Sequence, residues 1–229
     1  MSHYALAVFA DHPEDMDTLL DPYDENNKDE FVFEPVDDEE ILRSWAKFHE
    51  QNPAWKYGDW LLQMYTLRDG RYGHWYNPHG YYDYYTHGGR DYLFEIRPEV
   101  LKRCEEDGNW PEFFRKSDYE WFANDDHDDR EEELRKEWRE YIEDGDWFRS
   151  AKFYAQRFGT EDHYVEEMLR PTVPYAFVTP DGEWHAPGRV GWFGVSDDTY
   201  ESQTAYYNAW RKFITEAPDC YVSLVDCHI

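Results

Sequence analysis

In the stretch "WYNPHGYYDYYTHGGRDY", residues 75–92, tyrosines, histidines and aspartates stand beside an Asn-Pro step, a glycine pair and an arginine. Those residue types suit recognition of a small polar ligand. A guanidinium offers five donors in a fork that fits a carboxylate or phosphate, and a tyrosine ring can stack on a base or sugar. Glycine and Asn-Pro supply turns and a positive φ that let backbone approach closely. The candidate ligand-binding set is Asn77, Asp83, Tyr84, Tyr85, Gly88, Gly89 and Arg90, with a nucleotide-like compound as occupant. The same residues allow a structural arrangement in which Asp83 pairs with Arg90 and the tyrosines ladder across a β-hairpin, each cross-strand pair adding roughly 0.2–1 kcal/mol. His74, His79 and His87 with Asp83 are metal-ligating types, but their spacing matches no closed zinc pattern, so no metal and no cofactor is expected.

A second group lies at the end of the chain, in "CYVSLVDCHI". On a strand, Asp226 and His228 point to one face and Cys227 to the other. A Cys–His dyad from adjacent residues is therefore poor geometry. The remaining catalytic arrangements are Cys227 with a distant partner such as His185, or Asp226 and His228 acting together in a hydrolase or transferase.

Charge excludes some partners. Fifty-one acidic against twenty-three basic residues give a formal net charge of −28, which opposes direct binding to nucleic-acid phosphates. The acids are dense in residues 1–50 and again between Trp121 and Asp146. Acidity of this kind serves either solvation, as in salt-adapted proteins, or engagement of a basic groove on another protein. Three cysteines, Cys104, Cys220 and Cys227, make an odd set without paired spacing, as in a reducing compartment. No apolar run reaches the roughly 20 residues of a membrane span, and the start lacks the basic region of a signal peptide. The cytoplasm, of a host cell if the chain is phage-encoded, is the expected location.

These groups need elements to hold them. "HYALAVFA" (3–10) reads as a buried strand, and "PEDMDTLLDPYDEN" as a short helix opened by acids near its positive end. Residues 37–53 read as a helix with Ile41, Trp45 and Phe48 on one face. "YGDWLLQMYTLRDGRYGHWYN" is ambiguous between a helix then a turn and a hairpin around "RDGRYG". The middle predicts three or four helices broken at "DGNWP", "ANDD" and "EDGD", one of them carrying Leu134, Trp138 and Tyr141 as its only apolar stripe. "VPYAFVTPDGEWHAPG" predicts a hairpin turning at Asp-Gly, and residues 199–218 a helix with Tyr206, Trp210, Phe213 and Ile214 inward. The expected fold is α+β: one domain over 1–229, an antiparallel sheet pairing the N- and C-terminal strands, and a largely helical acidic insertion at about 98–170.

The N-terminal "YALAVF" followed by "LLDPYDEN", the central "YNPHGYYDYYTHGGRDY", the late "PDGEWHAPGRVGWFG" and the terminal "VDCHI" together make the chain resemble a family of uncharacterised bacteriophage and prophage proteins. In that family the central motif reads Asn-Pro, a short gap, Trp-Asp-Trp-Tyr, a spacer, then Gly-Gly-Arg-Trp. Asn77, Pro78, Asp83, Tyr85, Gly88, Gly89 and Arg90 match it; Tyr82 and Tyr84 replace the tryptophans and Asp91 follows the arginine. The resemblance implies a phage-like origin and no particular chemistry. The leading expectation is a non-enzymatic acidic interaction protein, an inhibitor of a host antiviral nuclease or CRISPR effector that mimics nucleic acid. Asp128, Asp129, Glu132, Glu133, Glu137 and Glu140 would face a basic nucleic-acid-binding host protein. The alternative is binding or sequestration of a nucleotide-like ligand at the Tyr/Gly-Gly-Arg motif, and the third is the Asp226–His228 enzyme.

Overall fold

The computed structural model describes residues 3–36, 66–122, 130–147, 149–189 and 196–229, with 43, 47, 50 and 51. The chain forms two compact units, one from Met1–Leu20 with Tyr84–Ile229 and one from Asp21–Asp83.

The larger unit is built on its two terminal strands. β1 (His3–Ala10) and β11 (Tyr221–His228) pair antiparallel along their whole length, from His3↔His228 to Ala10↔Tyr221. Both are nearly continuous apolar runs because both sheet faces are covered. The pairing of chain ends expected from the sequence is thus present. The sheet is mixed, however: β9 (Ala176–Val178) runs parallel to β1 on its other edge, and β10 (Trp184–His185) turns back antiparallel onto β9. That hairpin is the predicted one, with Gly182 at φ +83 in its turn. On the far edge of β11 sit two short strands, β5 (Tyr84–Thr86) opposite Asp226–His228 and β7 (Phe114–Arg115) opposite Tyr221–Val222. A separate two-stranded ladder joins β6 (Glu95–Ile96) to β8 (Tyr119–Glu120).

Helices close the faces. α1 (Met16–Leu20) packs beside β1 with Met16 and Leu20 buried. α6 (Tyr200–Glu216), capped by Thr199, lays Tyr206 and Trp210 against Phe9, Phe177, Val222 and Leu224, and Trp121 and Phe94 complete that core. Lys116 is buried where α6 ends, and its Nζ donates to the carbonyls of Phe213, Ile214 and Ala217. A cation there satisfies the last carbonyls of the helix, sharing that of Phe213 with the Ala217 N–H.

α2 (Pro98–Asp107) ends at Gly108 in the left-handed region, at the predicted "DGNWP" break. α3 (Arg130–Asp144), α4 (Ala151–Arg157) and α5 (Glu161–Met168) form a three-helix group with its own core of Leu134, Trp138, Tyr154, Phe158, Tyr164 and Val165. The side chains of Ser150 and Thr160 cap α4 and α5 by accepting from backbone N–H groups three residues on. Arg157 joins this group to the entry of α6: its Nη2 lies 2.7 Å from both Glu167 and Asp198, all three side chains being nearly buried. The helical middle is therefore as expected, but β7 and β8 interrupt its first part; runs of two residues carry no periodicity to read.

In the smaller unit, β2 (Val32–Pro35), β3 (Thr66–Arg68) and β4 (Arg71–Tyr76) make a sheet in the order β2-β4-β3. In the described part of the ambiguous segment, from residue 66 on, a hairpin turns at "RDGR", where Asp69 (φ +50) and Gly70 (φ +80) supply the two positive φ values of a type I′ turn; its residues 57–65 lie outside the described residues. Residues 43, 47, 50 and 51 are helical; the rest of the predicted helix at 37–53 lies outside the described residues. Among the described residues no helix is long and apolar enough to cross a membrane.

Candidate functional site

Residues 75–92 do not form one hairpin. β4 ends at Tyr76 within the smaller unit, whereas Tyr84–Thr86 leaves for the edge of β11 in the larger one. Asn77 and Asp83 belong to the smaller unit. Asn77 is buried, donating from Nδ2 to the carbonyls of Pro22 and Asp24 and accepting from the His79 N–H. Its side chain locks the turn before Gly80. Asp83 contributes its carbonyl to the Asn26 side chain.

The other five members meet "VDCHI". Thr86, Tyr85 and Tyr84 pair with Asp226, Cys227 and His228, and the chain then turns so that Arg90 reaches back to Asp226. Arg90 Nε and Nη2 both lie 2.8 Å from Asp226 Oδ1, His3 Nδ1 lies 3.1 Å from Oδ2, and Arg90 Nη1 donates to the Tyr92 hydroxyl. Each glycine has its own reason. Gly88 sits at φ +70, and a Cβ on Gly89 would come within 2.6 Å of Asp226 Cβ and 3.2 Å of the Thr86 carbonyl. The motif therefore tucks a turn against the C-terminal strand and clamps it with a charge-assisted pair. Arg90 has Asp226 as its partner.

Asp226 and His228 share a face as the alternation requires, but they do not form an acid–base pair. Both carboxylate oxygens of Asp226 are engaged by cation or imidazole. His228, buried, is stacked on Tyr84 at 4.4 Å and meets His3 edge-on at 5.0 Å. Cys227 lies fully buried on the opposite face, and burial pushes its thiol far up, away from the thiolate a nucleophile needs. His185 is no partner for it, because β9 and β1 stand between β10 and β11 and three interstrand spacings amount to about 14 Å.

The sequence did not reveal a hydrogen-bonded line on that opposite face. Ser223 Oγ lies 2.7 Å from His87 Nδ1, and His87 Nε2 lies 3.0 Å from Asp17 Oδ1, which also accepts from the Tyr85 hydroxyl at 2.6 Å. Hydrogen bonds from Tyr85 and His87 hold the Asp17 carboxyl below its ordinary range. The line borders a cavity of about 290 Å³, lined by His87, Ser223, Asp91 and Glu112, where β5 and β7 leave a gap along β11. Its atoms are those of a nucleophile, base and orienting acid. Its wall is not that of an acyl-transfer site: Asp91 and Glu112 oppose the negative charge that would develop on a carbonyl oxygen. Neither Asp17 nor Ser223 is near His87 in the sequence: the pairing of β5 with β11 brings Ser223 to it, and the docking of α1 beside β1 brings Asp17. Among the described residues no group of His, Cys, Asp and Glu is placed to hold a metal.

The acidic residues divide. Asp128 and Asp129 lie outside the described residues. Glu137 is half-buried and accepts from the Tyr164 hydroxyl inside the three-helix group. Glu132, Glu133 and Glu140 are exposed on α3 together with Glu143 and Asp144. Two of the arginines of α3 turn towards α5: Arg135 binds Glu161 and Asp162 as well as Glu131, and Arg139 binds Glu161, whereas Arg130 is exposed and Lys136 lies beside Glu140 on the outer side. Comparison with family models, curated proteins and solved structures gives no match to this chain.

Proposed function

We propose that this chain is a non-enzymatic, phage-type acidic interaction protein that occupies the nucleic-acid groove of a basic host protein, such as an antiviral nuclease. The observation that supports it most is the sorting of charge on α3. Arg135 and Arg139 are drawn onto α5, while Glu132 and Glu133 stay exposed and make no ion pair among the described residues. The apolar stripe of α3 is already covered by α4 and α5. What α3 offers outward is an excess of carboxylates at helical spacing, interrupted by the exposed Arg130 and by Lys136, which lies 3.7 Å from Glu140; that net negative face is what a groove built for phosphates attracts. The Arg90 fork offers no competing anion site, since Asp226 and Tyr92 occupy it.

The test is displacement of a labelled DNA duplex from a host nuclease with a basic groove. The chain should displace it at about 50 mM salt and lose most of that ability by about 300 mM. Reversal of Glu132, Glu133 and Glu140 to lysine should abolish displacement without unfolding the protein. Displacement that survives the triple reversal, or none at low salt, refutes the reading.

A further inference from the structure

Surface charge accelerates encounter, but tight complexes hold by side chains anchored in desolvated pockets. The larger unit has such a pocket away from α3. It is a groove of about 660 Å³ between α6 and the β9–β10 hairpin. Its floor is aromatic: Phe177 is fully buried, the His185 ring stacks on it at 4.4 Å, and Phe213 lies 5.6 Å away. The groove is open because α6 presents Ala209 there, four residues before Phe213, where a larger side chain would fill it. Around this floor stand four carboxylates, Asp11, Asp181, Glu183 and Glu216, against one lysine, Lys212. The Thr179 hydroxyl donates to Asp181 and holds that carboxyl below its ordinary range.

An apolar floor inside an acidic rim is complementary to one kind of peptide segment. A Trp or Leu enters the floor, and flanking Lys or Arg residues lay their methylene stems along it while their charged heads reach the carboxylates. We propose that this groove is the anchor site for an apolar residue flanked by cationic residues on the basic partner. The occupant's identity rests on the partner-binding reading given above; its chemistry rests on the groove itself.

The probe is the labelled peptide Ac-Arg-Lys-Trp-Leu-Lys-Arg-NH2, followed by fluorescence anisotropy and by the NMR signals of the His185 ring. Wild-type protein should bind it with the His185 signals shifted, and a peptide with alanine for tryptophan should bind at least about tenfold more weakly. Ala209→Trp, which fills the groove and keeps every charge, should lose at least about tenfold in affinity. Glu183→Lys with Glu216→Lys, both at exposed positions, should do the same. The variant reversed at Glu132, Glu133 and Glu140 should still bind the peptide. If binding is lost in that α3 variant and kept in Ala209→Trp, the groove proposal falls while the α3 reading stands. Failure of the peptide to bind overturns the proposal, as does equal binding by tetramethylammonium alone, which would make this a pocket for small cations.

Discussion

At the residue scale, the Gly-Gly-Arg motif has a mechanical explanation. Gly88 makes the turn, Gly89 permits the approach to Asp226, and Arg90 supplies the charge that neutralises it. Gly89→Ala should therefore destabilise the protein by about 1–3 kcal/mol, because the added methyl meets backbone and a Cβ, neither of which can swing aside. Gly108→Ala should lose only about 1 kcal/mol, since that residue has a positive φ but open space around it. Urea unfolding of the two variants measures the difference. Equal losses would mean that close approach at Asp226 does not constrain the motif. The residues themselves were legible in the sequence, but their partners were not. Arg90 lay near Asp83 in the chain, and its actual partner is supplied by a strand more than a hundred residues away, as is the partner of His87.

At the element scale, the three-helix group is fastened to α6 through Arg157, Glu167 and Asp198. Burial alone would raise the Asp198 carboxyl, yet hydrogen bonds from Gln203 and Ser196 and the charge of Arg157 outweigh it and set its pKa below the ordinary value. Burial raises that of Glu167. A depressed carboxylate stabilises the fold above the unfolded pKa of about 3.9 and loses that contribution as pH falls through the folded value. Asp198→Asn should thus be less stable than wild type at pH 7, and the gap should close as the pH drops below about 3.9. Unfolding followed by circular dichroism between pH 3 and 7 reads this directly; a gap as large at pH 3 as at pH 7 rules the ion cluster out as its source. The helices here were readable from the spacing of Leu134, Trp138 and Tyr141. The short strands β5 to β8 were not, because a run of two or three residues is made a strand only by the neighbour that pairs with it.

At the scale of the whole molecule, a net charge of −28 is self-repulsion held in check by an aromatic core. Exposed carboxylates also occur away from α3, on α2 at Glu99, Glu105 and Glu106 and in the smaller unit at Glu25 and Asp29. Screening should relieve the repulsion, so raising sodium chloride from about 20 mM to about 500 mM should lift the melting temperature by roughly 3–6 °C. An unchanged melting temperature would mean that the acids are balanced by internal pairs and exert no net strain on the fold. Such a rise describes the cost of acidity alone; duplex displacement tests its use.

Composition and periodicity by themselves determined the α+β class, the two terminal strands, the hairpin at Asp181-Gly182, the long helices and the excess of negative charge. All of these follow from local preference, or from apolar patterns repeated over six residues or more. Tertiary structure alone decided which groups meet: Arg90 with Asp226, His87 with Ser223 and Asp17, Lys116 with the end of α6, and the aromatic groove under Ala209. Such meetings depend on strand register and helix docking. A one-residue slip of β11 against β1 would turn Asp226 and His228 to the other face while leaving every local signal in the sequence unchanged.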